Sequence, residues 1–230
     1  MYIIEIIQVK ELVALKKIFL IGLLVLLSAC SSKVASSGME TITDNDTKPK
    51  VELVEPYESS LLLEWHIDNM DRGDHDYETS SHPDLVVDPN DKNVKRGDVI
   101  YFKSPDFTID SNPNFNMPEF YISRVVGLEG ETVEIKNGQV FIDGKKLDTF
   151  YSAALNSGMG QEEYFEKVEP ANRGEEESWK EYFATTMEPI KVEKNTVFVL
   201  GDNWWRSADS RYFGVLPMEN VEGKVLGYKK

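Results

Sequence analysis

Apolar positions along the chain fall into short runs bounded by glycine, asparagine and aspartate, with the length and composition of strands. Segments 61–66, 85–87, 99–102, 121–126, 132–136, 139–143, 196–200 and 221–228 are rich in Val, Ile, Leu, Phe and Tyr, and each predicts a β-strand. Between 132–136 and 139–143 stands Asn137-Gly138, the dipeptide best able to supply both positive φ angles of a type I′ hairpin turn. Asp143-Gly144 marks a second turn straight after it. Two stretches carry another period: 162–168 places Tyr164, Phe165 and Val168, and 175–187 places Trp179, Tyr182 and Phe183, at helical spacing among many acids. The pattern predicts one mainly β domain over 51–230, large enough for a sizeable core, with an α-helical insertion over 151–189. The helical pair is expected to pack its aromatics on the sheet, a partner-binding surface being the alternative.

The N-terminal pattern differs. Lys16-Lys17 precede an apolar run over 18–27, and Leu27-Ser28-Ala29-Cys30 follows, with small residues before the cysteine. The run is short for a bilayer span and suits the core of a secretory signal ending in a lipobox. Residues 1–29 accordingly predict a lipoprotein signal peptide, Cys30 the lipidation position, and 30–50, rich in Ser, Thr, Asp and Lys, a tether. Cys30 is the single cysteine, which rules out an intrachain disulfide framework. Acyl chains, at about 0.8 kcal/mol per buried methylene, would hold the protein on a membrane.

Composition narrows the partners. A formal net charge of −15 opposes binding to nucleic acid and to anionic headgroups, so the acyl anchor must supply attachment. The acidic stretch 66–76 fails the EF-hand pattern because Met70 and Arg72 occupy positions that need oxygen ligands. It reads as a solvated loop, and no metal or cofactor is assigned. Trp204-Trp205 reads either as core closing a turn or as an exposed aromatic edge at a membrane interface.

The segment 201–217, GDNWWRSADSRYFGVLP, closely resembles the last signature block of the type I signal peptidases. That block runs Gly-Asp-Asn, three variable residues, Ser, one residue, Asp-Ser-Arg, two residues and Gly. Here Gly201, Asp202, Asn203, Ser207, Asp209, Ser210, Arg211 and Gly214 all fall in place. Arg96-Gly97-Asp98 followed by Val99-Ile100-Tyr101-Phe102 is similar to the family's RGD-plus-strand element. The stretch 121–147, opening Tyr121-Ile122-Ser123-Arg124, is similar to its longest block, headed Tyr-x-Lys-Arg. The resemblance implies the signal peptidase fold, an antiparallel β catalytic domain with a smaller inserted domain, on the extracytoplasmic face of a bacterial membrane. It also implies hydrolysis of a peptide bond by a serine nucleophile and a lysine general base.

Both reacting positions depart from that pattern. Ser123 stands where the family has its lysine, and a serine hydroxyl has no comparable basicity at neutral pH, while Arg124 beside it stays protonated. For the nucleophile two alignments compete: Asn69-Met70 keeps the methionine with asparagine in place of serine, and Ser80 to Leu85 keeps serine, proline and leucine but lies close to Arg96. By resemblance, Ser207 would stand near the base position, Asp209 and Arg211 would brace the site by pairing, and Arg124 would be structural. Phe120, Tyr121 and Ile122 would line an edge that takes the extended end of a signal peptide as an added strand. Three readings follow. The first is a membrane-anchored, catalytically impaired signal-peptidase-like protein that binds leaders of exported preproteins or modulates an active signal peptidase. The second is an active serine endopeptidase using Ser80 with a histidine base, from among His66, His75 and His82. The third is a non-catalytic lipoprotein scaffold.

Overall fold

The computed structural model describes residues 39–108 and 115–230. The signal peptide expected over 1–29, Cys30 and the first part of the expected tether lie outside the described residues. No described helix is long and apolar enough to cross a membrane.

The described chain is mainly β. Its strands are β1 (Thr41–Thr43), β2 (Leu53–Val54), β3 (Leu61–Leu63), β4 (Leu85–Asp88), β5 (Val99–Lys103), β6 (Phe120–Gly127) and β7 (Thr132–Lys136). They continue as β8 (Gln139–Ile142), β9 (Lys145–Asp148), β10 (Met187–Lys191), β11 (Thr196–Leu200), β12 (Leu216–Pro217) and β13 (Val221–Lys229). One sheet runs β12-β11-β6-β5-β13-β4-β3, with β2 beside the end of β13; a smaller one runs β1-β9-β8-β7-β10. Pairing is antiparallel except for β1 on β9 and β2 on β13.

Two hydrophobic cores explain why the central strands read as unbroken apolar runs. Along β11, Val197 and Val199 enter one core while Phe198 and Leu200 enter the other. In β6, Tyr121, Ile122 and Val125 belong to the first core and Val126 to the second. A strand buried on both faces has no solvent side on which to place polar residues. The turns follow the local chemistry: Asn137 and Gly138 take φ of 48° and 71°, pairing Lys136 with Gln139. Asp143 and Gly144, at 50° and 75°, return the chain into β9. Two helices, α1 (Gln161–Lys167) and α2 (Glu176–Phe183), bury Tyr164, Tyr182 and Phe183 in the second core.

Three expectations need correction. The tether does not extend to residue 50, because β1 pairs with β9 and the Asp44 carboxylate accepts a bond from Tyr151 Oη at 2.7 Å. A two- or three-residue strand that gains its stability from one neighbour leaves little periodicity to read. The second helix stops at Phe183 and not at Met187. Met187–Lys191 is instead an edge strand with a register shift between Met187 and Ile190, a place where Pro189, which has no N–H to give a ladder, is tolerated. The strand expected over 61–66 ends at Leu63, where the chain turns inward and buries Trp65.

Candidate functional site

β11 pairs with β6 through Arg124, Val125 and Gly127, so the stretch from Phe120 to Ser123 has β5 on one side and no β11 partner on the other. Asn69, in the 3₁₀ turn Asp68–Met70, fills that place. Its Nδ2 donates to the Ile122 carbonyl at 2.8 Å, and its Oδ1 accepts from Trp65 Nε1 at 3.0 Å. Ser207 reaches the same turn, its Oγ lying 2.9 Å from the Asn69 carbonyl and 2.7 Å from the Asn203 carbonyl, either of which can accept its one proton. Asn69, Ile122 and Ser123 have no exposed surface, and the Ser123 hydroxyl has no hydrogen-bond partner. The two resemblance-derived positions, 69 and 123, therefore lie together, and neither meets solvent.

The substrate-edge residues divide. Phe120 is half-buried and stacks on Tyr101 at 5.3 Å, whereas Tyr121 is buried against Trp65, ring to ring at 5.4 Å. Burial pushes the Tyr121 phenol well above its usual range. Ser80 lies elsewhere: it is exposed, its Oγ is 3.3 Å from His66 Nδ1, and His66 Nε2 is 3.9 Å from the Glu64 carboxylate. Leu85 sits in β4, separated from β6 by β13 and β5.

Around these positions the signature residues form a rigid frame. Arg124 binds Asp202 through Nε at 2.7 Å and Nη2 at 2.6 Å, and donates to the Gly97 carbonyl at 2.7 Å. Burial works against the Arg124 charge, but Asp202 and Tyr77 outweigh it and hold the guanidinium above its usual range. Arg211 binds Asp209 through Nε at 2.8 Å and Nη2 at 3.0 Å, while Gly201 N donates to the same carboxylate at 3.0 Å. Burial opposes the Arg211 charge too, and Asp209 more than restores it. Gly201 is required by packing: a Cβ there would overlap Ser207 Oγ and the Asn69 carbonyl. Trp204 and Trp205 part company, Trp204 being 1% exposed and Trp205 48%.

Sequence reasoning missed two participants. Arg72 donates to Asp202 at 2.8 Å and to Asp76 at 3.1 Å and lies over Phe150, so part of the supposedly solvated loop is packed into the frame. Burial raises the Asp76 carboxyl, against the pull of Arg72. Trp65, donor to Asn69, was hidden inside an apolar run that read as strand. An unpaired acid-rich loop that contains a single arginine was the available signal for Arg72.

What this arrangement can do follows from its donors and acceptors. Among the described residues no amine bonds to the Ser123 hydroxyl, and the Arg124 and Arg211 guanidiniums are committed to carboxylates. The chain matches the family described as signal peptidase, peptidase S26, over residues 12–228. It is 33% identical over 129 residues to signal peptidase I S of Bacillus subtilis (strain 168), covering 56% of this chain and 55% of that one. It is 31% identical over 132 residues to signal peptidase I of Leptolyngbya laminosa, covering 57% and 51%. A crystal structure of a signal peptidase I from Enterococcus faecalis V583 aligns at 30% identity and a TM-score of 0.38, over 58% of this chain and 97% of the other. The chain spans about half the length of the curated relatives it matches. With the family's match running through nearly all of the described residues, the chain belongs to the signal peptidase, peptidase S26, family.

Proposed function

We propose that this protein is a signal-peptidase-I-like component of the extracytoplasmic membrane face that engages the extended leaders of exported proteins and does not cut them by a serine–lysine route. The observation that carries this reading is the side chain of Asn69, which spends its donor on the carbonyl of Ile122 and its acceptor on Trp65, while the hydroxyl of Ser123, the next residue of the strand, has no partner. A carboxamide is no nucleophile, and a hydroxyl takes no proton from one. Loss of a general base costs on the order of 10²–10⁴ in rate, and loss of cooperating catalytic groups approaches about 10⁶.

Peptide binding asks for less than cleavage. An incoming strand would enter on the side of the 120–123 stretch that Asn69 now covers, with one of its main-chain N–H groups displacing the Asn69 amide from the Ile122 carbonyl and the 3₁₀ turn moving aside to admit it. That exchange trades one hydrogen bond for another of similar strength. A lipid on Cys30 would keep the domain at the membrane, where leaders emerge and where an active signal peptidase would be the natural competitor or client.

A second reading has its own observation. The Ser80, His66 and Glu64 side chains stand in the order nucleophile, base and orienting acid, which favours a serine endopeptidase built outside the family positions. The full-length chain in detergent, incubated with a preprotein carrying its signal peptide, separates the readings. Saturable leader binding without cleavage supports the proposal. Cleavage that disappears in Ser80→Ala and His66→Ala moves the function to the second reading. Neither binding nor cleavage leaves a scaffold and refutes both.

A further inference from the structure

A second slot lies where α2 meets the loop after β11, and none of Asn69, Ile122 and Ser123 lines it. It encloses about 850 Å³. Its walls are aromatic: Trp205 and Tyr212 are 48% and 49% exposed, and Tyr182 closes the helix side. Trp205 is held in place before any ligand arrives, stacked on Trp179 at 4.6 Å with 30° between the planes and meeting Tyr182 edge-on at 5.5 Å. A fixed aromatic wall loses little conformational entropy when something packs against it.

The floor supplies donors. Arg211, with only 10% of its side chain exposed, commits Nε and Nη2 to Asp209 and to the Trp204 carbonyl, which leaves Nη1 with none of these bonds. Its guanidinium lies 5.2 Å from the Trp204 ring centre and 5.6 Å from that of Tyr212. Asp209 neutralises Arg211, and Glu181 adds a negative charge to the lining, so the slot is no anion site.

Aromatic walls, one guanidinium N–H left for a ligand and a single carboxylate, Glu181, call for a ligand that offers a carbonyl acceptor, carries few N–H donors, and is apolar on its flanks. Proline has no backbone N–H and, in a polyproline II helix, presents ring faces and solvated carbonyls at a three-residue period. We propose that this slot binds an extended proline-rich peptide segment, with prolines packed between Trp205 and Tyr212 and a carbonyl accepting from Arg211 Nη1. Glu181 then favours a basic residue next to the prolines. The site works whether or not positions 69 and 123 take part in catalysis.

The test is fluorescence anisotropy of a labelled decaproline peptide with the full-length chain in detergent. A glycine–serine decapeptide serves as control, and a chitin tetrasaccharide is tried as competitor. Saturable binding of decaproline but not of the control is expected, with Trp205→Ala and Tyr212→Ala each weakening it at least about tenfold. Tyr212→Ala leaves the Trp179 stack intact, so it decides the matter if Trp205→Ala disturbs folding. The proposal is overturned if decaproline does not bind, if the control binds equally, or if neither variant changes the affinity. It is overturned too if the tetrasaccharide binds in a Trp205-dependent way and decaproline does not.

Discussion

Asn69 and Ser123 are both fully buried, Asn69 on the carbonyl of Ile122 and Ser123 next along the strand, and the bonding around them predicts opposite responses to the same substitution. Asn69→Ala removes a donor from the Ile122 carbonyl and an acceptor from Trp65 Nε1, with Asn69 and Ile122 fully buried and Trp65 only 5% exposed. Each buried group left without a partner costs about 1–3 kcal/mol, so the pair amounts to about 2–6 kcal/mol. At about 2–4 °C per kcal/mol for a domain of this size, the midpoint of thermal unfolding falls by roughly 4–24 °C. Ser123→Ala removes a hydroxyl that has no partner, and burying an unpaired hydroxyl is itself unfavourable. That variant is expected to match the parent or to exceed it by about 1 kcal/mol. Urea denaturation followed by tryptophan fluorescence, with equal slopes in all three proteins, reads both numbers. A loss below about 1 kcal/mol in Asn69→Ala would mean that the bond to Ile122 is not made in solution. The edge would then stand open, and the argument for a bracketed, non-reacting position would fail. A marked loss in Ser123→Ala would show that its hydroxyl is engaged after all.

Two further outcomes follow from the frame. Arg124→Ala leaves the Asp202 carboxylate, with 1% of its side chain exposed, to Arg72 alone, and is expected to cost about 3–5 kcal/mol in a denaturant titration; Arg124→Lys recovers little of this, since an ammonium cannot repeat the two-pronged contact. Asp44 is held below the usual carboxylate value of 3.8: burial pushes it up, and bonds with Thr47 and Tyr151 outweigh that push. A carboxyl lowered in the folded state adds stability that is present above 3.8 and lost as pH falls below it. Asp44→Asn should therefore melt below the parent at pH 7, with the gap narrowing as pH falls below 3.8, and a gap independent of pH would refute the assignment.

The parts of the fold that were legible in the sequence are those dictated locally. Asn137-Gly138 needed nothing beyond its own backbone preferences to announce a hairpin, and β7 and β8 are paired across it. The run 196–200 was legible because a strand buried on both faces is apolar throughout. Short pairings were not: β1, β2, β9, β10 and β12 have two to five residues each and exist because a neighbouring strand offers them an edge. Of the site, the positions were readable and the bonding was not. Nothing in the string from Trp65 to Asn69 says that an indole four residues earlier will donate to the carboxamide, nor that Arg72 will share Asp202 with Arg124 across 130 residues of chain.

That division bears on what a signature block reports. The motif residues this chain shares with its family are the ones that tie loops to strands: Arg124 to Asp202 and to the Gly97 carbonyl, Asp209 to Gly201 and Arg211, and the Ser210 hydroxyl to Val199 N at 2.9 Å. Each supports the geometry of β6 and β11 whatever chemistry takes place between them. Positions 69 and 123 have no such duty in a peptidase, where a serine and a lysine serve the reaction and the amine must be kept neutral by burial. Here the first has been drawn into the same bonding as the frame, and the second carries a hydroxyl with no hydrogen-bond partner, which under the proposed function is a base position left without its base. A long motif match is thus strong grounds for the scaffold and weak grounds for the activity, because the residues that lengthen the match are those the scaffold needs. The functional proposal accordingly rests on two side chains and stands or falls with the stability and cleavage measurements made on them.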